Sequence, residues 1–203
     1  MTKSENYYVE QVKRPIDVPL KPVNVFGSSY VFQSPMAVVL EVQNLFSKYK
    51  YLIKGLNDEV YFRATKGLST VLYDMNDKPL LNIRNGFTKV CLYEGKNHDE
   101  QPLVVIKNKD STVARKFTVT YINRQTKQEE TLDMNCDCHF RSAGIFMGKE
   151  KEGAPMVGKC IQTVKPTIGG EKIKYTIQIA PGIDIILIIA LSIFIRIKKE
   201  GQS

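Results

Sequence analysis

Eleven consecutive uncharged residues near the C-terminus, Ile185-Ile-Leu-Ile-Ile-Ala190-Leu-Ser-Ile-Phe194-Ile195, constrain this chain more than any other stretch. Every odd position from 183 to 197 is Ile or Leu, so periodicity alone would also suit a strand. Length decides between the two. Fifteen residues of strand would run to about 50 Å, against ~17–20 Å for an ordinary strand. As a helix the same residues span ~22 Å. The ends carry helix signals: Pro181 before the start, Asp184 in the first turn, and Lys198 and Lys199 in the last. A core helix over about 183–198 is expected.

A helix that is apolar on every side must be surrounded by lipid or by protein. A bilayer span needs ~20 apolar residues. Extending this run backwards brings in Asp184, whose charge is costly in hydrocarbon. Enclosure by protein needs a wall. With 43% hydrophobic and 25% charged residues, the composition is that of a water-soluble globular chain able to supply one. The enclosed helix is favoured, with Ile185, Leu187, Ile188, Ile189, Leu191 and Phe194 as its core residues.

The wall is legible upstream. Val60-Tyr-Phe-Arg63 follows Tyr51-Leu-Ile-Lys54 across a turn at Gly55–Asp58, and Leu80–Ile83 follows Val71–Tyr73 across Asp74–Pro79. Phe117-Thr-Val119-Thr-Tyr121 alternates and is rich in β-branched residues. Thr131–Cys136, Ser142–Phe146, Val157–Val164 and Lys174–Ile179 continue the series. Roughly ten to twelve short segments of this kind, without βαβ alternation, imply antiparallel sheet. Residues 1–35 differ: Pro15, Pro19, Pro22 and Pro35 punctuate them. They are expected to form an arm, irregular at its start, ahead of a domain over 36–203.

No catalytic constellation is present. His98 and His139 lie near no nucleophile motif, and neither a Gly-x-Gly-x-x-Gly nor a Walker sequence occurs. A non-enzymatic protein without a cofactor is expected. Asp133, Asn135 and Asp137 at alternate positions offer oxygens to calcium, and Cys136, Cys138 and His139 offer softer ligands to zinc. Each pattern lacks its complement: an EF-type loop wants Gly sixth and Glu twelfth, and a zinc site a second ligand pair. A strand edge followed by a turn is the competing reading. The four cysteines are expected to be free thiols in a reducing compartment. The net charge of +8 favours anionic partners. Lys107, Lys109, Arg115 and Lys116 flank one expected turn, where strand ends bring such residues together.

The segment Tyr175-Thr-Ile-Gln-Ile179, then Pro181-Gly-Ile-Asp184 and an apolar terminal helix, resembles the LURP-one-related proteins. The hairpins Tyr51–Arg63 and Val71–Arg84 are similar to that family's first two. The resemblance covers about residues 36–198. It implies the fold shared by tubby C-terminal domains and phospholipid scramblases: a closed antiparallel β-barrel of about twelve strands enclosing a hydrophobic C-terminal α-helix. The family's helix commonly ends in an Asp-Glu pair, whereas here Arg196-Ile-Lys198-Lys199 stands at that point. Tubby domains hold phosphoinositide headgroups on basic residues, so the resemblance makes Lys107, Lys109, Arg115 and Lys116 the expected lipid contact. The expectation is a monomeric cytoplasmic protein, peripheral at membranes, that binds anionic lipid or a protein partner. A scramblase-like protein with its helix in the bilayer and a nucleic-acid binder are the alternatives.

Overall fold

Alternating apolar residues become inward-facing rows of an antiparallel barrel in the computed structural model, which describes residues 3–44, 46–65, 67, 69–97, 101–109, 114–164 and 172–201. The strands are β1 (Met36–Val42), β2 (Tyr51–Lys54), β3 (Val60–Ala64), β4 (Thr70–Tyr73), β5 (Pro79–Asn85) and β6 (Lys89–Glu94). They continue as β7 (Val104–Lys109), β8 (Arg115–Asn123), β9 (Gln128–Cys136), β10 (Ser142–Phe146), β11 (Met156–Val164) and β12 (Lys174–Ile179). Each pairs with its sequence neighbours, and β1 pairs with β12 from Met36↔Ile179 to Glu41↔Lys174, closing the barrel. Closure leaves no edge strand. The fold is mainly β, as the resemblance implied.

The inward rows are set by register. Val38 faces Ile177, Ile83 faces Leu92, Ile106 faces Val119, and Met134 lies between Phe117 and Ile145. They surround α2 (Ile185–Glu200), whose residues from Ile185 to Arg196 are all buried. Phe194 meets Phe117 edge to face at 5.1 Å. Gly158 on β11 lets the helix approach closely, because a Cβ there would lie 3.1 Å from Ile188 Cδ1. Leu187, Ile188 and Ile189 have no exposed surface. Among the described residues, no helix is long and apolar enough to cross a membrane.

The entry to α2 explains Pro181-Gly-Ile-Asp184. Gly182 adopts φ 75°, a conformation that side chains rarely take. Asp184 is the N-cap: its Oδ1 accepts from the Ile186 and Leu187 N–H groups at 3.0 and 3.3 Å. Its Oδ2 accepts from Val25 and Phe26 N–H at 2.9 and 2.7 Å. Burial raises its pKa, against the pull of those four donors. The helix therefore starts two residues later than expected, since Ile183 and Asp184 are its extended lead-in, and it runs on to Glu200.

The start of the arm is not irregular. It forms helix α1 (Lys3–Lys13), with Glu5 in its first turn and Lys13 in its last. This helix lies on the outer wall. Ser142 Oγ donates to Gln11 Oε1 at 2.6 Å, and Gln11 Nε2 donates to the Asn135 carbonyl at 2.6 Å. Arg141 bridges Glu5 and Asp137, each at 2.9 Å. Lys159 Nζ caps the C-terminal end through the carbonyls of Val12 and Arg14 at 3.2 and 2.7 Å. Phe146, whose outward ring is fully buried, sits under Arg14. Further on, Val23 and Val25 are completely buried, and Val23 pairs with Ile183. The arm is thus part of the domain it precedes.

Candidate anion site on the barrel wall

Positions that alternate with the inward Ile106, Phe117 and Met134 face outward. Lys109 stands opposite Lys116, Lys116 opposite Asn135, and Thr118 between Lys107 and Asp133. The connection from β10 to β11 folds back over this wall through a short helical turn, Glu150–Glu152. Lys109, Lys116, Asp133, Asn135, Lys149, Glu150 and Lys151 then line one depression of about 230 Å³.

Its two carboxylates are already engaged. Asp133 accepts from Lys109 Nζ. Glu150 Oε2 accepts from Tyr7 Oη at 2.9 Å and from Asn135 Nδ2 at 2.7 Å. Lys149 pairs with Glu152 at 2.9 Å, an exposed contact that holds it weakly. Lys116 and Lys151 make no ion pair among the described residues. Asn135 is 2% exposed, and its Oδ1 is buried without a hydrogen-bond partner. Lys116 and Lys151 therefore bring two ammonium groups without a carboxylate partner among the described residues to the depression, a set that suits a phosphate-bearing ligand.

Of the four lysines and arginines expected at one patch, Lys109 and Lys116 line the depression. Lys107 is exposed two residues along β7, opposite Lys89. Arg115 has the parity of Phe117, stands opposite Cys136, and does not join them. Lys149 and Lys151 are the residues that sequence reasoning missed. Their signal was a charged run, Lys149-Glu-Lys-Glu152, in a connection bounded by Gly148 and Gly153.

Asp133, Asn135 and Asp137 do not assemble as a calcium site. Asp133 is taken by Lys109 and Asn135 by Glu150. Asp137 organises its own turn, accepting from Ser142 N–H at 2.8 Å and Arg141 Nε at 2.9 Å. Among the described residues no group of three or more His, Cys, Asp and Glu is placed to hold a metal ion. Cys136 and Cys160 are buried free thiols, and burial raises both pKa values, that of Cys160 to about 12.

The LURP-one-related family model matches residues 37–196. The chain belongs to the LURP-one-related family. An X-ray structure of an Arabidopsis thaliana protein is similar to this LURP-one-related barrel, with TM-score 0.63 at 16% identity, covering 85% of this chain and 96% of that one. At that identity the likeness shows the fold. A search of the curated proteins finds no match.

Proposed function

We propose that this LURP-one-related barrel is a non-enzymatic, cytoplasmic protein that binds anionic membrane lipid, and that phosphoinositide headgroups occupy the wall depression. The observation that carries the reading is that Lys109, Lys116, Lys149 and Lys151 line one depression, with Lys116 and Lys151 in no ion pair among the described residues. Phosphate oxygens accept from the ammonium groups. The interior holds α2 in place of a ligand, so a headgroup binds from outside. The same enclosure disfavours a scramblase that uses α2 as a membrane span.

The test is a titration with phosphoinositide-containing vesicles and with duplex DNA, each across a salt series. Binding to vesicles that persists at physiological salt is expected, while DNA binding falls steeply as salt rises. Each ammonium near an anionic surface contributes ~1 kcal/mol, so Lys116→Glu with Lys151→Glu weakens vesicle binding at least about tenfold. Equal binding by the double variant, or tighter binding to DNA than to vesicles, refutes the reading.

A further inference from the structure

We infer that the barrel meets an anionic bilayer end-on, through the end where α2 terminates, with Phe46 and Phe87 entering the acyl region. The inference rests on the reading that the wall depression binds lipid headgroups, and it adds the surface and orientation by which the protein reaches them.

In an antiparallel barrel with consecutive pairing, alternate connections emerge at the same end. Those joining β1 to β2, β5 to β6 and β7 to β8 share the end reached by the C-terminus of α2. Contacts place the first two there: Lys50 lies 4.0 Å from Glu200, and Asn85 lines a hollow with Phe140, Ile197, Lys198 and Gly201. Phe46 sits beyond the Gln43–Lys50 hydrogen bond that closes the first hairpin, and it is 98% exposed. Phe87 sits between Gly86 and Lys89, whose backbone hydrogen bond closes the second, and it is fully exposed. Polar residues and glycine normally occupy such tips. Here each tip presents an aromatic ring to solvent.

The charge around the tips selects the surface. Lys89 follows Phe87, and Lys198 and Lys199 stand in the last turn of α2, while Lys50, which follows Phe46, faces Glu200. Arg115, exposed and outside the wall depression, opens β8 at this same end. The opposite end also shows apolar side chains, Leu56 and Met75, but they stand among Asp58, Glu59 and Asp74. Those carboxylates repel an anionic surface, whereas Lys89, Arg115, Lys198 and Lys199 attract one. Lys109 and Lys116 form the last ladder pair before the β7–β8 connection, so end-on docking brings the depression down to headgroup level.

The chain contains no tryptophan, so Phe46→Trp and Phe87→Trp each install a single indole reporter, excited selectively at wavelengths where tyrosine does not absorb. The assay uses full-length protein with phosphatidylcholine vesicles, with and without phosphatidylserine and phosphoinositide, and soluble inositol phosphate as a separate ligand. On anionic vesicles both reporters shift to shorter wavelength and are quenched by brominated acyl chains; on neutral vesicles neither responds. The Phe46→Ser/Phe87→Ser variant sediments with anionic vesicles about tenfold less well and binds inositol phosphate like the wild type. Reporters that stay water-exposed on vesicle-bound protein overturn end-on docking and leave the headgroup reading standing. Failure of the wild type to bind either inositol phosphate or vesicles overturns both.

Discussion

Placing one methyl group on Gly158 tests the enclosed helix directly. A Cβ at that position would sit 3.1 Å from Ile145 Cδ1, 3.1 Å from Ile188 Cδ1 and 3.3 Å from Ile188 Cγ2. Two of the three contacts are with α2 and one is with the barrel wall. Overpacking of this kind costs ~1–3 kcal/mol. The loss of glycine's freedom in the unfolded chain returns ~0.4–1 kcal/mol. Gly158→Ala is therefore expected to destabilise by ~1–2 kcal/mol, a fall in Tm of about 2–8 °C for a chain of this size. Ile188→Val alone removes Cδ1, leaves a small cavity and costs ~0.5–1.5 kcal/mol. Combined, the valine vacates the space that the new methyl occupies, so the double variant is more stable than the sum of the singles by about 1 kcal/mol. Urea unfolding of all four proteins, followed by far-ultraviolet circular dichroism, measures the cycle. Additivity within ~0.3 kcal/mol would mean that α2 does not pack against β11, and the account of the core would fail.

Ile188→Asp places a carboxylate where no surface is exposed and is expected to abolish cooperative folding; a thermal melt like that of the wild type would contradict this. Asp184→Ala leaves four backbone N–H groups without their acceptor and is expected to cost at least ~3 kcal/mol, read from the urea midpoint. Burial pushes the Glu41 carboxyl up, but hydrogen bonds from Gln43, Lys172 and Lys54 outweigh it and lower the pKa from 4.5 to about 2. Its stabilisation is therefore present above pH ~4.5 and fades as pH falls toward 2, on the order of 1–2 kcal/mol given the half-exposed Lys172. Glu41→Gln flattens that part of the stability–pH curve, and an unchanged curve would remove Glu41 as its source. Lys159→Met removes the cap on α1 and is expected to speed tryptic cleavage after Lys13 while the barrel melts normally; unchanged cleavage would show that the cap does not hold the helix.

The terminal helix was legible because its length excluded a strand and its lack of a polar face required a surrounding wall. The strands were legible because each alternates with period two, as at Phe117–Tyr121. Barrel closure was not written in that period: β1 and β12 meet across more than a hundred residues, and only the family resemblance supplied it. Helix α1 was missed because Tyr7, Tyr8, Val9 and Val12 make a weak apolar face, and its stability comes from Gln11, Arg141 and Lys159 bonds to or from the distant wall. Half of the wall depression was visible, since Lys109 and Lys116 flank one connection. Lys149 and Lys151 reach it only because a later connection folds back, and no local pattern encodes that approach. Arg115 was misplaced for a simpler reason: it alternates with Lys116, and neighbours along a strand point to opposite faces.

The order of elements along the chain has a consequence for biosynthesis. All twelve staves leave the ribosome before the plug that fills them, and the seam between β1 and β12 forms only after residue 179 has appeared. A nascent chain therefore carries unsatisfied greasy surfaces until α2 has emerged, which favours slow assembly and exposes the chain to aggregation. A premature stop between β12 and α2 yields a hollow shell that lacks its core. Loss of α2 alone should be as damaging as loss of the whole barrel.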